Sequence, residues 1–432
     1  MICANITRTA GGALRFGGAD VAALTEKYGS PLYIMDESRI RENCRTYKNA
    51  MTEAFGPSAL PLYASKAASF KQIYRLMMEE GMGVDIVSSG ELYTAAAVGF
   101  PMEKAYFHSN NKTDADIAYG MDCGMGHFVV DNVEELDAID RIAGERNLVQ
   151  PVLLRLTPGI DPHTYAAVST GQVDSKFGSA IETGQAEEIT RHALSCAHLR
   201  LDGFHCHVGS QVFDSDVYLR AADIMLHFVA DMKDKLGFVT AELDLGGGYG
   251  VRYTESDPVI DIGANIHQVA QAVKALCADL QLDVPAIRME PGRSIVADAG
   301  LTVYTVGTVK RIPGYKNYVS VDGGMTDNPR FALYGSRYTV VPVSRTLPEN
   351  VMHCSVVGRC CESGDIIQEN VVMPADIRRG EKIAVLTTGA YNYAMSSNYN
   401  RVPRLPIVMV NAQSDYLAVR RETPADVAQY DV

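Results

Sequence analysis

The sequence predicts a closed (β/α)8 barrel joined to a second, β-rich domain, and three observations support this fold class. Short apolar runs alternate with segments of helical period from residue 60 to about residue 290. Most of these runs end in a polar side chain or in glycine, as expected where barrel strands present an active site. After residue 299 the helical segments give way to strand-like runs separated by Gly, Pro and Asp.

Eight apolar runs are predicted as the barrel strands. They cover residues 60–64, 84–88, 105–109, 127–131, 151–156, 201–207, 242–246 and 286–290. An open, doubly wound sheet is the alternative, but it would leave strand edges exposed to water, whereas closure removes them. We therefore favour the barrel.

The chain is long enough for two domains. We predict a barrel domain over residues 38–299 and a β-domain, a sandwich or small barrel, over residues 300–432. Two strand-like pieces near the start, "GALRFGG" and "PLYIMDE", precede the barrel. Residues 1–37 are therefore expected to join the same β-domain.

The composition argues against several classes of protein. The chain has 39 Lys and Arg against 52 Asp and Glu, a formal charge of −13, and no basic cluster, so a nucleic-acid surface is not expected. No apolar stretch approaches the roughly 18 residues of a membrane span, and the first residues lack the apolar core of a signal peptide. The nine Cys lack paired spacing. We expect a cytoplasmic protein with reduced thiols and no membrane partner.

Two glycine-containing loops predict a phosphate site. The motif "DLGGGYG" includes Gly247 and Gly248, and consecutive glycines let backbone N–H groups point at an anion. The motif "EPGRS" supplies Gly292 and Arg293 after the last barrel strand. Loops after strands seven and eight form a recurrent phosphate site in such barrels.

Lys66 follows the first predicted strand, where burial is expected to disfavour its charge. A desolvated lysine becomes a nucleophile that condenses with a carbonyl. Pyridoxal 5'-phosphate carries both an aldehyde and a phosphate, and Glu290, at the end of the eighth strand, could keep its ring nitrogen protonated. A salt bridge at the barrel mouth is the alternative for Lys66.

The motif "HCHVGSQ" places His205 and His207 two residues apart, on one side of a predicted strand. Such a pair can bind a metal, as in barrel hydrolases. Few of the other histidines are at predicted strand ends, so we expect no metal. We expect His207 to stack on the cofactor ring, Ser210 to donate to the phosphate, and His205 to be structural.

Ten motifs occur in order along the chain. They are "YASKA" (63–67), "DIVSSGEL" (85–92), "SKFG" (175–178), "HVGSQ" (207–211), "DLGGGYG" (244–250), "EPGRS" (290–294), "DGGM" (322–325), "RFALYG" (330–335), "CESGD" (361–365) and "GAYNYAMSSNYN" (389–400). Together they resemble the fold-type III pyridoxal-phosphate decarboxylases of basic amino acids.

This resemblance implies roles for the residues that match the motifs. Catalytic roles would belong to Lys66, His207, Glu290 and Cys361. Cofactor contacts would come from Lys66, Asp85, His207, Ser210, Gly247, Gly248, Glu290, Gly292, Arg293 and Tyr391, and substrate contacts from Arg293, Arg330, Tyr334, Glu362 and Tyr391. The thiol of Cys361 would protonate the product carbon from the partner subunit, which implies a homodimer with shared active sites.

The resemblance also implies the reaction. Arg330 and Glu362 suit a substrate whose far end carries a second carboxylate and an ammonium. We therefore expect decarboxylation of meso-2,6-diaminopimelate to L-lysine and CO2, the last step of lysine biosynthesis by that route. A decarboxylase of ornithine, lysine or arginine, a non-catalytic homologue and a metal-dependent hydrolase are the alternatives.

The loop "GRCCESGD" departs from the family pattern, which commonly has proline where this chain has Arg359. Arginine does not fix φ as proline does. The sequence therefore predicts a less rigid loop, with Cys361 still in register and Cys360 as an additional thiol.

Overall fold

The computed structural model describes residues 2–160 and 175–432. The chain divides into two compact units. The barrel unit contains Cys44–Gly250 and Val259–Gly292, and the β unit contains Met1–Asn43, Val251–Pro258 and Arg293–Val432. Arg293 and the short segment Val251–Pro258 thus belong to the β unit.

The barrel unit contains eight parallel strands in a closed ring. They are Leu60–Ala64, Gly83–Ile86, Ala105–Phe107, His127–Val130, Gln150–Thr157, Leu199–His205, Glu242–Asp244 and Ala286–Met289. Each strand pairs with the next, and the eighth pairs back with the first, with Arg288 opposite Leu60. This confirms the predicted barrel. A two-residue strand, Ser179–Ala180, adds to the fifth.

Most of the predicted runs extend beyond the observed strands at their C-terminal ends. The sixth run was predicted to reach residue 207, for example, but the strand ends at His205. Many of the polar residues at the ends of the runs therefore lie in the loops that follow the strands. In a parallel barrel these loops share one end, where side chains from different strands converge.

Several of the described helices begin at a residue whose side chain caps the first turn. The described helices cover Val21–Tyr28, Glu37–Phe55, Lys71–Glu79, Ser89–Ala96, Asp114–Asp122, Val133–Glu145, Gln185–Ala193, Ser215–Leu236, Ile262–Asp279, Arg293–Val296, Arg330–Tyr334 and Pro424–Ala428. Side chains of Ser88, Thr113, Asn132, Asp214 and Asp261 accept hydrogen bonds from first-turn amides. Among these described helices, none combines the length and apolar character needed to cross a bilayer.

The β unit is built around a nine-stranded sheet. Its strands are Leu32–Asp36, Gly300–Ile312, Lys316–Val321, Val340–Pro342, Val351–Val357, Ile366–Pro374, Lys382–Leu386, Ile407–Val410 and Asp415–Val419. Leu32–Asp36 pairs antiparallel with Gly300–Ile312 and parallel with Ile407–Val410. The prediction that an N-terminal strand joins the β-domain is confirmed.

Two features of the β unit were not predicted. The "GALRFGG" piece forms the middle of a separate three-stranded sheet, Ile6–Arg8, Leu14–Phe16 and Ala19–Asp20. The strand Ile366–Pro374 has no continuous apolar pattern, because three consecutive polar residues interrupt its sequence "IIQENVVMP". Asn370 within it has a positive φ of 54°, which marks an irregularity in the strand.

A buried ion pair lies inside the barrel at the N-terminal end of the seventh strand. Arg288 Nη2 is 2.5 Å from Glu242 Oε1, and its Nη1 donates to the carbonyl of Ser58 at 2.6 Å. Tyr106 donates its hydroxyl to Glu242 Oε2 at 2.7 Å. The Arg288 guanidinium and the Glu242 carboxylate are both largely removed from water, so each charge needs the other to offset the cost of its burial.

We predict that Glu242→Leu destabilises the protein by about 3 kcal/mol, because it leaves the Arg288 guanidinium buried without its carboxylate. Urea unfolding followed by circular dichroism measures the loss. The matched control is Asp114→Leu, which removes a carboxylate from an exposed pair with Arg141 and should change stability little. Equal losses in the two variants would contradict the prediction.

Candidate active site

Lys66 lies in a short 3-10 turn, Ser65–Ala67, that follows the first barrel strand directly. Ser65 and Ala67 are buried, but the side chain of Lys66 is exposed. The expectation of a desolvated lysine is therefore wrong, because Lys66 lies in the turn and not in the buried strand that precedes it. The Lys66 ammonium still acts on the barrel mouth: after burial, it is the next largest cause that lowers the pKa of His207.

Glu290 directly follows the eighth strand and is buried between two imidazoles. His205, the last residue of the sixth strand, donates from Nε2 to Glu290 Oε2 at 3.2 Å. His108, just after the third strand, has its Nε2 2.8 Å from Glu290 Oε1. The two rings meet edge to face, with centroids 4.9 Å apart. Three barrel strands thus bring their ends to one carboxylate.

The electrostatics of this cluster separate the protonation states of its carboxyls. Burial raises the pKa of Glu290, but His108 and His205 outweigh that effect and hold it well below its usual range. Burial and the charge of Glu290 raise the pKa of Asp85 to about 6, although His108 opposes them. The pKa of Asp244 is raised well above its usual value by burial and by Glu290. Of these three carboxyl groups, Glu290 is therefore the one that most strongly favours the ionised form.

The glycine loop after the seventh strand packs against Glu290. The Glu290 amide donates to the carbonyl of Gly246 at 2.8 Å, and the Gly246 amide donates to Asp244 Oδ1 at 2.8 Å. A Cβ on Gly247 would overlap the carbonyl oxygen of Glu290. Gly248 has a φ of 114°, which side chains rarely adopt. The loop is therefore a packed turn that requires glycine.

His207, Ser210 and Gly292 lie in the adjoining loops. Because the sixth strand ends at His205, the expectation that both histidines of the H-x-H pair share a strand face is wrong. His207 instead accepts a hydrogen bond at Nδ1 from the Gly247 amide, 3.3 Å away. Ser210 is partly buried in the following loop. A Cβ on Gly292 would lie 2.9 Å from Ala64 Cβ, so this loop packs on the end of the first strand.

Two buried arginines of the β unit pack on one tyrosine. Arg293, at the start of helix Arg293–Val296, has its guanidinium 4.8 Å from the ring centre of Tyr391. Arg330 lies 5.1 Å from the same ring and 4.7 Å from that of Tyr334. Tyr253 accepts a hydrogen bond from Arg293 Nη1 at 2.6 Å. The structure thus brings together four of the residues that were expected to contact substrate, Arg293, Arg330, Tyr334 and Tyr391.

The loop with Cys361 and Glu362 is organised by the carboxylate of Asp365. Oδ2 of Asp365 accepts from the Cys360 amide at 2.7 Å, and Oδ1 accepts from the Met325 amide at 2.6 Å. Both Cys361 and Glu362 are exposed in the chain. The Cys361 amide donates to Asn400 Oδ1 at 2.8 Å. The motifs "DGGM", "CESGD" and "GAYNYAMSSNYN" therefore meet through main-chain hydrogen bonds.

Arg359 stands where the family commonly has proline, and its main chain makes a hydrogen bond. Its amide donates to the carbonyl of Gly323 at 3.0 Å, a hydrogen bond that proline cannot make. The expected loosening of the loop is therefore offset by this bond. The neighbouring Cys360 is partly buried, and burial and then Asp365 raise the pKa of its thiol to about 11.

The barrel, with a lysine after its first strand, a buried carboxylate after its eighth and glycine loops after the last two, defines a protein that binds a phosphorylated ligand at its strand ends. The family model "Pyridoxal-dependent decarboxylase, pyridoxal binding domain" matches residues 37–297. The chain belongs to this family of pyridoxal-dependent decarboxylases.

Individual relatives resemble the chain along nearly all of its length. The diaminopimelate decarboxylase of Bacillus subtilis is 42% identical over 421 residues, which cover 98% of this chain and 95% of that protein. The crystal structure of diaminopimelate decarboxylase from M. jannaschi superposes with a TM-score of 0.91 at 30% identity, covering 99% of this chain and 98% of that chain. The crystal structure of diaminopimelate decarboxylase from Helicobacter pylori complexed with L-lysine superposes with a TM-score of 0.86 at 30% identity, covering 95% of this chain and 98% of that chain.

The residues of the barrel mouth fit pyridoxal phosphate. Glu290 Oε1 is buried and accepts no hydrogen bond from the described residues, so it can receive a donor such as a protonated ring nitrogen. The glycine loops provide close approach to a phosphate. The ligand atoms of four residues, His108, His205, Asp244 and Glu290, also lie within 4.8 Å of one another. Within the described ranges 2–160 and 175–432, His207 is not part of this group, so only the first histidine of the H-x-H pair belongs to it.

Sequence reasoning missed several residues of these clusters. His108 was assigned no role, and His205 was considered structural although it contacts Glu290. Asp244 opens the glycine motif, which could have drawn attention to its carboxylate. Tyr253 carried no signal, because nothing in the sequence shows that its segment leaves the barrel unit to join the β unit.

We predict that Gly247→Ala weakens cofactor binding and lowers stability by about 1–3 kcal/mol, since the added methyl group overlaps the Glu290 carbonyl. Titration of cofactor absorbance and thermal unfolding measure the two effects. Gly263→Ala is the control, because its Cβ would meet only Asp261 Oδ1 at 3.5 Å within a helix. Wild-type affinity in Gly247→Ala would contradict the tight packing of the loop.

Proposed function

We propose that this chain decarboxylates meso-2,6-diaminopimelate to L-lysine and CO2 with pyridoxal phosphate as its cofactor. The observation that carries the proposal is Glu290, a buried carboxylate held ionised at the barrel mouth by two imidazoles. Such a group favours a protonated cofactor ring. When bound, pyridoxal phosphate supplies an electron sink for the pair released as the carboxylate leaves Cα.

The barrel residues hold and orient the cofactor in this proposal. Lys66 would hold its aldehyde, and the exposed side chain would be accessible to a substrate amine. The loops containing Gly247, Gly248 and Gly292, together with Ser210, take the phosphate. His207, oriented by the Gly247 amide, lies against the ring. Asp85, buried beside His108, contributes to the same charge cluster.

The arginine and tyrosine cluster of the β unit serves anionic groups. Arg330 is buried, and its Nε has no hydrogen-bond partner among the described residues, so a donor is available for a carboxylate. Arg293 and Tyr391 take the phosphate or lie beside it, and the ring of Tyr334 lies 4.7 Å from the Arg330 guanidinium. Glu362 accepts the distal ammonium of the substrate.

Cys361 protonates the carbon from which CO2 has left, and it does so in the site of a partner subunit. Its exposure in the single chain, on a loop tied down by Asp365, supports a role at an interface. The working unit is then a homodimer with two shared sites. All nine cysteines are free thiols, which supports a reducing, cytoplasmic location.

The reaction is tested directly with purified protein and meso-diaminopimelate. We predict release of lysine and CO2, and a borohydride-stable adduct on Lys66. Lys66→Ala should form neither, whereas Lys71→Ala, an exposed lysine that begins the next helix, should retain both. Release of putrescine from ornithine or cadaverine from lysine in preference would assign another substrate.

The shared site is tested by complementation. We predict that Cys361→Ala lowers kcat about 10²- to 10³-fold, because the carbanion loses its acid. Mixing subunits of Lys66→Ala and Cys361→Ala should restore about a quarter of wild-type activity, since half of the dimers contain one intact site. An inactive mixture that nevertheless contains mixed dimers would contradict sharing.

A further inference from the structure

We propose that His108 and His205 are positioning residues for Glu290, which together hold its carboxylate ionised and oriented so that one oxygen stays open to the cofactor ring nitrogen. The inference rests on the proposed function and deepens it. It assigns both histidines to the electron sink, although neither is expected to touch the substrate.

The hydrogen bond between His205 and Glu290 defines the tautomer of the imidazole. His205 Nδ1 is buried and has no partner among the described residues, whereas Nε2 is 3.2 Å from Glu290 Oε2. A buried N–H without an acceptor is rarer and more costly than a bare lone pair. The hydrogen therefore lies on Nε2, and His205 donates it to Oε2.

His108 approaches the other oxygen of the carboxylate. Its Nε2 lies 2.8 Å from Glu290 Oε1 but makes no hydrogen bond, because the two atoms are not aligned for one. The same nitrogen is 3.9 Å from Asp85 Oδ1. His108 thus places positive potential between two carboxyls while leaving Oε1 without a donor.

The main chain restricts the same carboxylate. The Glu290 amide is bound to the Gly246 carbonyl, and Asp244, whose pKa is raised by burial and by Glu290, lies beside it. Burial also lowers the pKa of His205, which keeps the imidazole neutral as a single donor. Lys66, in the turn after the first strand, and Arg155, in the fifth strand, add positive potential. The geometry leaves Oε1 as the acceptor for an incoming donor.

A merely structural role does not account for this arrangement. Taking a carboxylate and two imidazoles out of water is costly, and apolar residues of similar volume would fill the same space with less penalty. An ionised Glu290 is useful only if a cation or proton donor comes to meet it. The protonated ring nitrogen of the proposed cofactor is such a donor.

The test uses wild-type protein and four variants, His205→Leu, His205→Gln, His108→Leu and His108→Gln, each reconstituted with pyridoxal phosphate labelled with 15N in the ring. Gln retains an N–H donor near the position of imidazole Nε2, whereas Leu does not. The control is His127→Gln, which perturbs a buried histidine paired with Asp202 at 2.8 Å, at the start of the fourth strand.

At one fixed pH, we expect a ring 15N chemical shift typical of a protonated nitrogen in wild type, in His127→Gln and in His205→Gln. In both Leu variants the shift should move toward the unprotonated value. In His205→Leu, kcat should fall about ten- to a hundredfold, the worth of a hydrogen bond to a charged group, with KM nearly unchanged. In His108→Leu, which removes a 2.8 Å contact with Glu290 Oε1 but no hydrogen bond, kcat should fall less. His108→Gln should lie between wild type and His108→Leu, because its side-chain amide restores a dipole near Glu290 Oε1 but not the imidazole.

Several results would overturn the inference. One is a wild-type 15N shift and wild-type kcat in folded Leu variants, and another is a folded His205→Gln variant that behaves like His205→Leu. Stoichiometric metal that is lost in these variants would assign the cluster to a cation instead. Thermal unfolding without cofactor shows whether each Leu variant folds. If one does not, the 15N shift and kcat of the Gln variant at the same position decide whether that histidine positions Glu290. If wild type releases no lysine and binds no cofactor, the proposed function fails and this inference fails with it.

Discussion

The ionised, buried carboxylate of Glu290 is the constraint on which the barrel mouth depends. A buried charge needs polar partners in fixed positions. Here the partners are His108 and His205, at the ends of the third and sixth strands. The glycine loop after the seventh strand holds the main chain of the same residue. An open sheet would not bring these ends together, so closure of the barrel is a condition for keeping the charge.

In the β unit the corresponding constraint is the packing of two guanidinium groups on one ring. Arg293 and Arg330 are both buried and both lie within about 5 Å of the centre of Tyr391, so two like charges share a small space. Each cation is stabilised by the ring, but their mutual repulsion is best relieved by an anion. Tyr391 itself has a positive φ of 61°, an uncommon conformation for a tyrosine. The strained backbone of Tyr391 is of the kind that occurs at binding sites.

Much of the fold was predictable because each barrel strand is a short apolar run that ends abruptly, and because Leu32–Asp36 has the same character before the barrel begins. The details of the site were less predictable. Lys66 is exposed because three residues of 3-10 turn follow its strand, and a hydropathy pattern does not reveal such a turn. His205 and Glu290 are 85 positions apart, so their contact depends on barrel closure. The role of Asp365 depends in the same way on contacts made through backbone amides, which side-chain identity does not report.

The main-chain hydrogen bond between Arg359 and Gly323 has a practical consequence. Because the amide, and not the side chain, binds Gly323, the loop next to Cys361 is held by a group that every residue except proline possesses. The exposed side chain at this position is therefore free to be exchanged. A spectroscopic label attached there would report on the surroundings of the proposed acid from two residues away, without disturbing the bonds that hold the loop in place.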